Sequence, residues 1–306
     1  MNALTLTDGL PPTLQAKATS LCQLIENSGT AVVAFSGGID SSLVAYLCGQ
    51  LLGKRAIAVT SGSASLKRSD LALSEALANS WGLEHRVITT SELARPEYRA
   101  NPANRCYYCK DTLFTALTEL ARQLDIDTIF SGTNLDDLGD HRPGLIAARE
   151  HAVRAPLAEA GFSKADIRAL ARHLGLANAE KPQSACLASR FPYGTAIDAR
   201  QLAQVEAAEA VLADLGLTQY RVRHHGDLAR LEVELDALPL VMSHRSDIDQ
   251  ALKALGYRFV AVDLGGFQSG SLNRALRDEQ QVRIQAVELY EPTSDQPPAS
   301  HGEPGA

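Results

Sequence analysis

A chain of 306 residues, 45% hydrophobic and 21% charged, has the composition of an ordinary globular protein and the length for two domains, each with its own core. Its formal net charge of -7 argues against the broad basic face needed to grip a nucleic-acid backbone, while leaving room for a small anion in a local pocket. No basic, apolar leader opens it and no segment approaches the ~18 uncharged apolar residues of a membrane span, so a cytoplasmic protein with no membrane partner is expected.

The first half alternates short β-branched runs with helical patterns. TAVVAF (30–35) predicts a strand, followed by SSLVAYLCGQLL with apolar residues at three- and four-residue spacing. RAIAVT (55–60), HRVITT (85–90) and DTIFSG (127–132) predict three more strands, with helices over SDLALSEALANSWG and YYCKDTLFTALTELARQL between them. That order implies βαβ units and a doubly wound parallel α/β sheet, with ligands at the carboxyl ends of its strands.

Two of those ends carry the anion chemistry. SGGIDSS places Ser36, Gly37, Gly38, Asp40, Ser41 and Ser42 between the first strand and its helix. The glycines let backbone approach an anion, and the helix start offers free N–H groups. No Lys follows the glycines, so this is not a Walker-type P-loop. Asp40 would repel phosphate unless it faces Mg²⁺ or orients a loop amide. The fourth strand ends in SGTNLDD, setting Thr133, Asn134, Asp136 and Asp137 over the same edge, where paired carboxylates suggest Mg²⁺ ligation. A capped Gly-rich turn and an exposed acidic turn are the plainer alternatives.

Of five cysteines, Cys22 and Cys48 fall on apolar helix faces and read as structural. NRCYYCK puts Cys106 and Cys109 at a helix start, open to half a zinc site, a redox pair or burial. Cys186 lies in KPQSACLASRFPYG, after the predicted helix SKADIRALARHLG, beside Lys181, Ser184, Ser189 and Arg190. The positive charge there favours a thiolate and an anionic substrate. Three thiolates without an obvious fourth ligand suit a 4Fe-4S cluster with one open iron; zinc with His85 or His141 is the alternative.

Beyond FPYG the pattern changes to a helix (DARQLAQVEAAEAVLADLG), a hairpin turning at Gly226 and Asp227, a second helix (SDIDQALKALG) and a strand (YRFVAVDL). This predicts a second, smaller α+β domain. Arg221 and Arg223 share one strand face and, with Arg190, match phosphate geometry; solvated surface charge is the alternative. The expected boundaries are 1–195, 196–290 and a Pro-, Gly- and Ser-rich disordered tail at 291–306.

SGGIDSS resembles the PP-loop of the ATP pyrophosphatase superfamily, whose members split ATP to AMP and pyrophosphate and activate a carboxylate or carbonyl by adenylation. The resemblance implies that Ser36, Gly37, Gly38, Asp40, Ser41 and Ser42 hold pyrophosphate, and that Thr60, Thr133, Asn134 and Asp137 complete the ATP site. Together with NRCYYCK, SGTNLDD, KPQSACLASRFPYG and YRVRHHGDLARLEV, it is similar to the LarE family of sulfur-inserting enzymes in nickel-pincer cofactor synthesis.

That similarity implies adenylation of a carboxylate of pyridinium-3,5-biscarboxylic acid mononucleotide, then displacement of AMP by sulfur to give a thiocarboxylate. Some members sacrifice the sulfur of the cysteine matching Cys186; others hold an iron–sulfur cluster on three cysteines. Cys106 and Cys109 align this chain with the second kind. The resemblance further implies a substrate-phosphate site of Ser189, Arg190, Arg221 and Arg223, an acidic pocket of Glu209 and Glu232, a homo-oligomer and a sulfide donor. A tRNA-thiolating enzyme, an amide-forming PP-loop enzyme and a zinc-stabilised nucleotide sensor are the competing readings.

Overall fold

The computed structural model describes residues 6–138 and 143–268; His141, the stretch from 269 to 290 and the tail lie outside the described residues. Strands β1 (Ala31–Ala34), β2 (Ala56–Ser61), β3 (Glu84–Ile88) and β4 (Ile129–Phe130) form one parallel sheet in the order β3-β2-β1-β4. The fourth is shorter than its sequence pattern. Phe130, paired with Val33 of β1, also forms a parallel bridge to Arg154, whose carbonyl takes the Ser131 N–H at 2.9 Å.

Continuous apolar runs rather than alternating ones are what a sheet covered on both faces requires. On one side, Ala31 and Val33 of β1 pack with helices α1 (Pro12–Glu26), α2 (Ile39–Leu52), α3 (Arg68–Trp81) and α5 (Lys164–His173). On the other, Val32, Ile57 and Val59 meet Phe114 and Leu117 of α4 (Arg105–Gln123). Cys22 and Cys48 are buried in the first of these layers. Burial and the charge of Glu26 push the Cys22 thiol up to about 11, and burial raises Cys48 further.

The sequence order reverses between β1 and β4, so the connections leave in opposite directions and open a crevice at their carboxyl ends. Both anion-binding segments predicted from the sequence emerge there.

A second sheet joins β5 (Tyr220–His225) and β6 (Leu228–Val233) as the predicted hairpin, with β7 (Phe259–Val262) parallel to β6. It buries Val222, Ala229 and Leu231 against α6 (Ala199–Asp214) and α7 (Arg245–Ala254). Asp198 starts α6 with a reciprocal cap: its carboxylate takes the Gln201 N–H at 2.8 Å. A third cluster, with Tyr98, Leu187, Ala188, Phe191, Leu202 and Val205, packs the turn after Cys186 onto α6. No helix among the described residues is long and apolar enough to cross a membrane.

Candidate functional site

Gly38 is the N-cap of α2, so Asp40, Ser41 and Ser42 occupy its first turn, where unpaired N–H groups concentrate positive potential. The Ser41 hydroxyl donates to the Gly38 carbonyl at 3.1 Å and accepts the Ser36 N–H at 3.2 Å, which holds the loop folded back over the helix start. Gly37 has φ +69°, and a side chain there would lie 3.1 Å from the Asp70 carbonyl. Gly132, after β4, comes closer still. A Cβ on it would sit 2.6 Å from the Ser41 nitrogen, so the two strand-end loops meet backbone to backbone.

Asn134 is fully buried and caps the turn that follows β4, taking the Asp136 and Asp137 N–H groups at 3.0 and 3.3 Å. The Asp137 carboxylate returns the bond from the Asn134 N–H at 3.2 Å. Thr133 hydrogen-bonds Ser131 at 3.2 Å. Asp136 accepts the Lys164 N–H at 2.8 Å, capping α5, and the Lys164 ammonium pairs with Asp40. Thr60 is buried, its hydroxyl bonded to His85 at 2.8 Å and near Ser74 at 3.3 Å. His85 is thus engaged on the sheet, beside the Phe35 ring.

A strap runs from this loop to Cys186. Asn178 donates to the Gly37 carbonyl at 3.1 Å and the Ser42 hydroxyl at 2.8 Å. Lys181 and Ser184 both reach Asp70, each at 2.7 Å. The Leu187 N–H then bonds the Ser65 carbonyl at 2.8 Å, and the Cys186 carbonyl takes the Ser189 hydroxyl at 2.7 Å. The backbone on both sides of Cys186 is therefore held, while its side chain stays exposed. Sequence reading missed Lys164 and Asn178. A cation in the first turn of α5 opposes the helix dipole, and that was the available signal for Lys164.

Cys106 and Cys109 lie one turn apart on one face at the start of α4. Burial, then the charges of Cys186 and Glu92, push the Cys109 thiol up to about 12. Burial also raises Cys106, opposed by the charge of the Arg105 guanidinium. The charge of Cys186 acts on both Cys106 and Cys109. Among the described residues no group of three or more His, Cys, Asp or Glu is arranged to hold a single metal ion.

Arg105, another residue the sequence did not single out, is 3% exposed in the midst of them. It donates to Asn101 Oδ1 and, at 2.9 Å, to the Ala188 carbonyl. Burial lowers its pKa, and the charges of Cys186 and Cys106 more than restore it.

The expected arginine clamp and acidic pocket turn out to face each other. Arg190 grips Glu209 through two bonds of 2.7 and 3.0 Å, and Lys67 joins at 2.7 Å. Arg223 grips Glu232 at 2.9 and 3.0 Å while donating to the Ser189 carbonyl at 2.6 Å. Arg221 differs: it stacks on Phe267 at 4.5 Å and donates to the Gln268 carbonyl at 3.3 Å. Burial, then nearby Arg223 and Arg190, lowers its pKa. Lys67, Asp70, Lys181, Ser184, Arg190 and Arg221 line one cleft between the two sheets.

The Arg223–Glu232 pair carries a stability prediction. Both side chains are 3% exposed or less, and removing Arg223 leaves the buried Glu232 carboxylate to the partly exposed Arg230 guanidinium at 3.0 Å, which meets only one of its oxygens. Arg223→Met is expected to cost about 3–5 kcal/mol, read from the denaturant midpoint. Glu209 adds a pH dependence. Burial alone would raise its carboxyl, but Arg190 and Lys67 hold it below the usual range. Its contribution is present above the unfolded value of about 4.3 and disappears as pH falls through the lower folded one. Acid titration of Glu209→Gln should lack that part of the stability loss.

Residues 14–101 match the NAD synthase family. An uncharacterised protein of Synechocystis sp. is 41% identical over 265 residues, covering 86% of this chain and 99% of that protein. The pyridinium-3,5-bisthiocarboxylic acid mononucleotide synthase of Lactiplantibacillus plantarum is 36% identical over 269 residues, 88% of this chain and 98% of that enzyme. A shorter match, 30% over 192 residues, joins 50% of this chain to 51% of the tRNA-specific 2-thiouridylase MnmA of Wolbachia pipientis subsp. Culex pipiens.

Proposed function

Because the chain belongs to the LarE family of PP-loop enzymes, we propose that it converts a carboxylate of pyridinium-3,5-biscarboxylic acid mononucleotide to a thiocarboxylate for nickel-pincer cofactor synthesis. The enzyme is an ATP-dependent sulfurtransferase. In this reading the substrate carboxylate attacks the α-phosphorus of ATP, pyrophosphate leaves, and sulfur then displaces AMP from the acyl carbon. Adenylation matters because a carboxylate oxygen is a poor leaving group and AMP a good one.

The observation that carries the reading is the strap. It ties the pyrophosphate loop at Gly37 and Ser42 to the backbone around an exposed Cys186. Ser36 to Ser42 would hold pyrophosphate at the α2 N-terminus, with Asp40 and Asp137 taking Mg²⁺ in place of the Lys164 contact. Thr60, Thr133 and Asn134 would shape the ATP site. Arg221 would receive the substrate phosphate, with Ser189, Arg190 and Arg223 building the wall behind it; Glu209 and Glu232 keep those two guanidiniums in place.

Cys106, Cys109 and Cys186 form an all-thiol donor set, which suits a 4Fe-4S cluster, whose ligating sulfurs stand apart, better than one zinc ion. Held by Cys106, Cys109 and Cys186, such a cluster would supply sulfide-level sulfur, replenished by an external sulfide donor. The second sheet with α6 and α7 would complete the substrate cleft and serve homo-oligomer assembly. The MnmA similarity covers half the chain, and a net charge of -7 does not favour tRNA as substrate.

The test is anaerobic incubation with ATP, Mg²⁺ and the dicarboxylate mononucleotide, with tRNA in a parallel arm. AMP release coupled to a thiocarboxylate, detected by mass, is expected. Absence of both from the mononucleotide arm, or thiolation of tRNA alone, overturns the reading.

A further inference from the structure

Arg105 is a full positive charge taken out of water without a carboxylate to meet it. The other strongly buried arginines among the described residues, Arg190 and Arg223, each grip a glutamate through two bonds. The hydrogen-bond partners of Arg105 among the described residues are the Asn101 amide oxygen and the Ala188 carbonyl. Two carbonyl-type acceptors orient a guanidinium and do not neutralise it. A buried cation left in that condition is costly unless an anion completes the site. The thiol segments meet at it: Arg105 immediately precedes Cys106 at the start of α4, its guanidinium reaches the turn after Cys186 through the Ala188 carbonyl, and the charges of Cys186 and Cys106 act on it.

We propose that Arg105 is the positioning residue of the thiol site, its fixed charge recruiting and holding an anionic sulfur donor of the hydrosulfide class beside Cys106 and Cys186. The guanidinium is held from both sides, by Asn101 below and by the carbonyl of the turn after Cys186, so the charge does not follow the ligand out. Its location also keeps the anion from competing with ATP phosphate, which has its own site at the α2 N-terminus. The inference rests on the proposed role of the three cysteines in sulfur delivery.

The test compares alkylation of Cys106 and Cys186 by iodoacetate and by iodoacetamide in the full chain, anaerobically and without iron, read by peptide mass spectrometry. Both reagents attack the same thiolate, so the ratio of their rates cancels its protonation and reports only the preference for an anion. In the wild type this ratio should exceed that of glutathione. In R105Q it should fall by about tenfold, and in R105K, which keeps the charge, it should stay within about twofold. A wild-type ratio no higher than that of glutathione overturns the proposal even if R105Q does not fold. So does an equal fall in R105Q and R105K.

After iron and sulfide loading, the cluster of R105Q should have a more negative midpoint potential than wild type, a change that a merely structural arginine would not produce. Wild type that binds no iron yet shows the anion preference overturns the cluster reading and leaves Arg105 in its role. Wild type that binds iron, with ratio and potential untouched in R105Q, does the reverse.

Discussion

Cys186→Ser is expected to lower thiocarboxylate formation by roughly a thousandfold or more, about 4 kcal/mol of barrier, while ATP–pyrophosphate exchange stays within about twofold. The separation follows from where the residue sits. Its backbone is pinned by the Leu187 bond to Ser65 and by Ser189, and its side chain is exposed, so serine replaces sulfur without moving the strap. The pyrophosphate loop is held from Asn178, ahead of the substitution. Product formation is measured by mass and exchange with labelled pyrophosphate; undiminished product would remove Cys186 from sulfur delivery.

The companion substitution Cys106→Ser separates two sources of sulfur. If a cluster delivers it, iron content and product fall together. If Cys186 gives up its own sulfur, product survives and the protein loses about 34 Da in turnover.

Gly132→Ala should be nearly as damaging to the first half-reaction. The added methyl would stand 2.6 Å from the Ser41 nitrogen, 2.9 Å from its Cα and 3.0 Å from the Asp40 carbonyl carbon. All three are main-chain atoms in the first turn of α2, and no side-chain rotation relieves the contact. Either α2 or the loop carrying Thr133, Asn134 and Asp137 must shift. A displacement of about 1 Å at a phosphate site costs on the order of a hundredfold in rate, and the overpacking about 1–3 kcal/mol in stability. Pyrophosphate release and thermal unfolding read the two effects. Wild-type kcat/KM for ATP in this variant would show that the two loops do not have to meet for activity.

The parts of this protein legible in its sequence are those whose physics is local. TAVVAF and RAIAVT are apolar at every position because both faces of the parallel sheet are covered, and SGGIDSS reads as an anion loop because its glycines and serines act on their own backbone. The hairpin at Gly226 belongs to the same class.

What the sequence determined by itself was therefore the order of strands and helices, the edge where they present the phosphate loop, and the three thiols that stand apart from the buried pair Cys22 and Cys48. It also marked Arg190, Arg223, Glu209 and Glu232, but as a clamp and a pocket rather than as two ion pairs. Only the tertiary structure decided that. Charge defaults to solvent when a chain is read in one dimension, and whether a guanidinium meets a carboxylate, a phosphate or a thiol depends on residues brought from other elements. Arg190 finds Glu209 across to α6, Lys164 finds Asp40 from α5, and Arg105 finds the Ala188 carbonyl only because the turn after Cys186 returns to the start of α4. Each of those meetings spans many residues of chain, and no local periodicity or spacing encodes it.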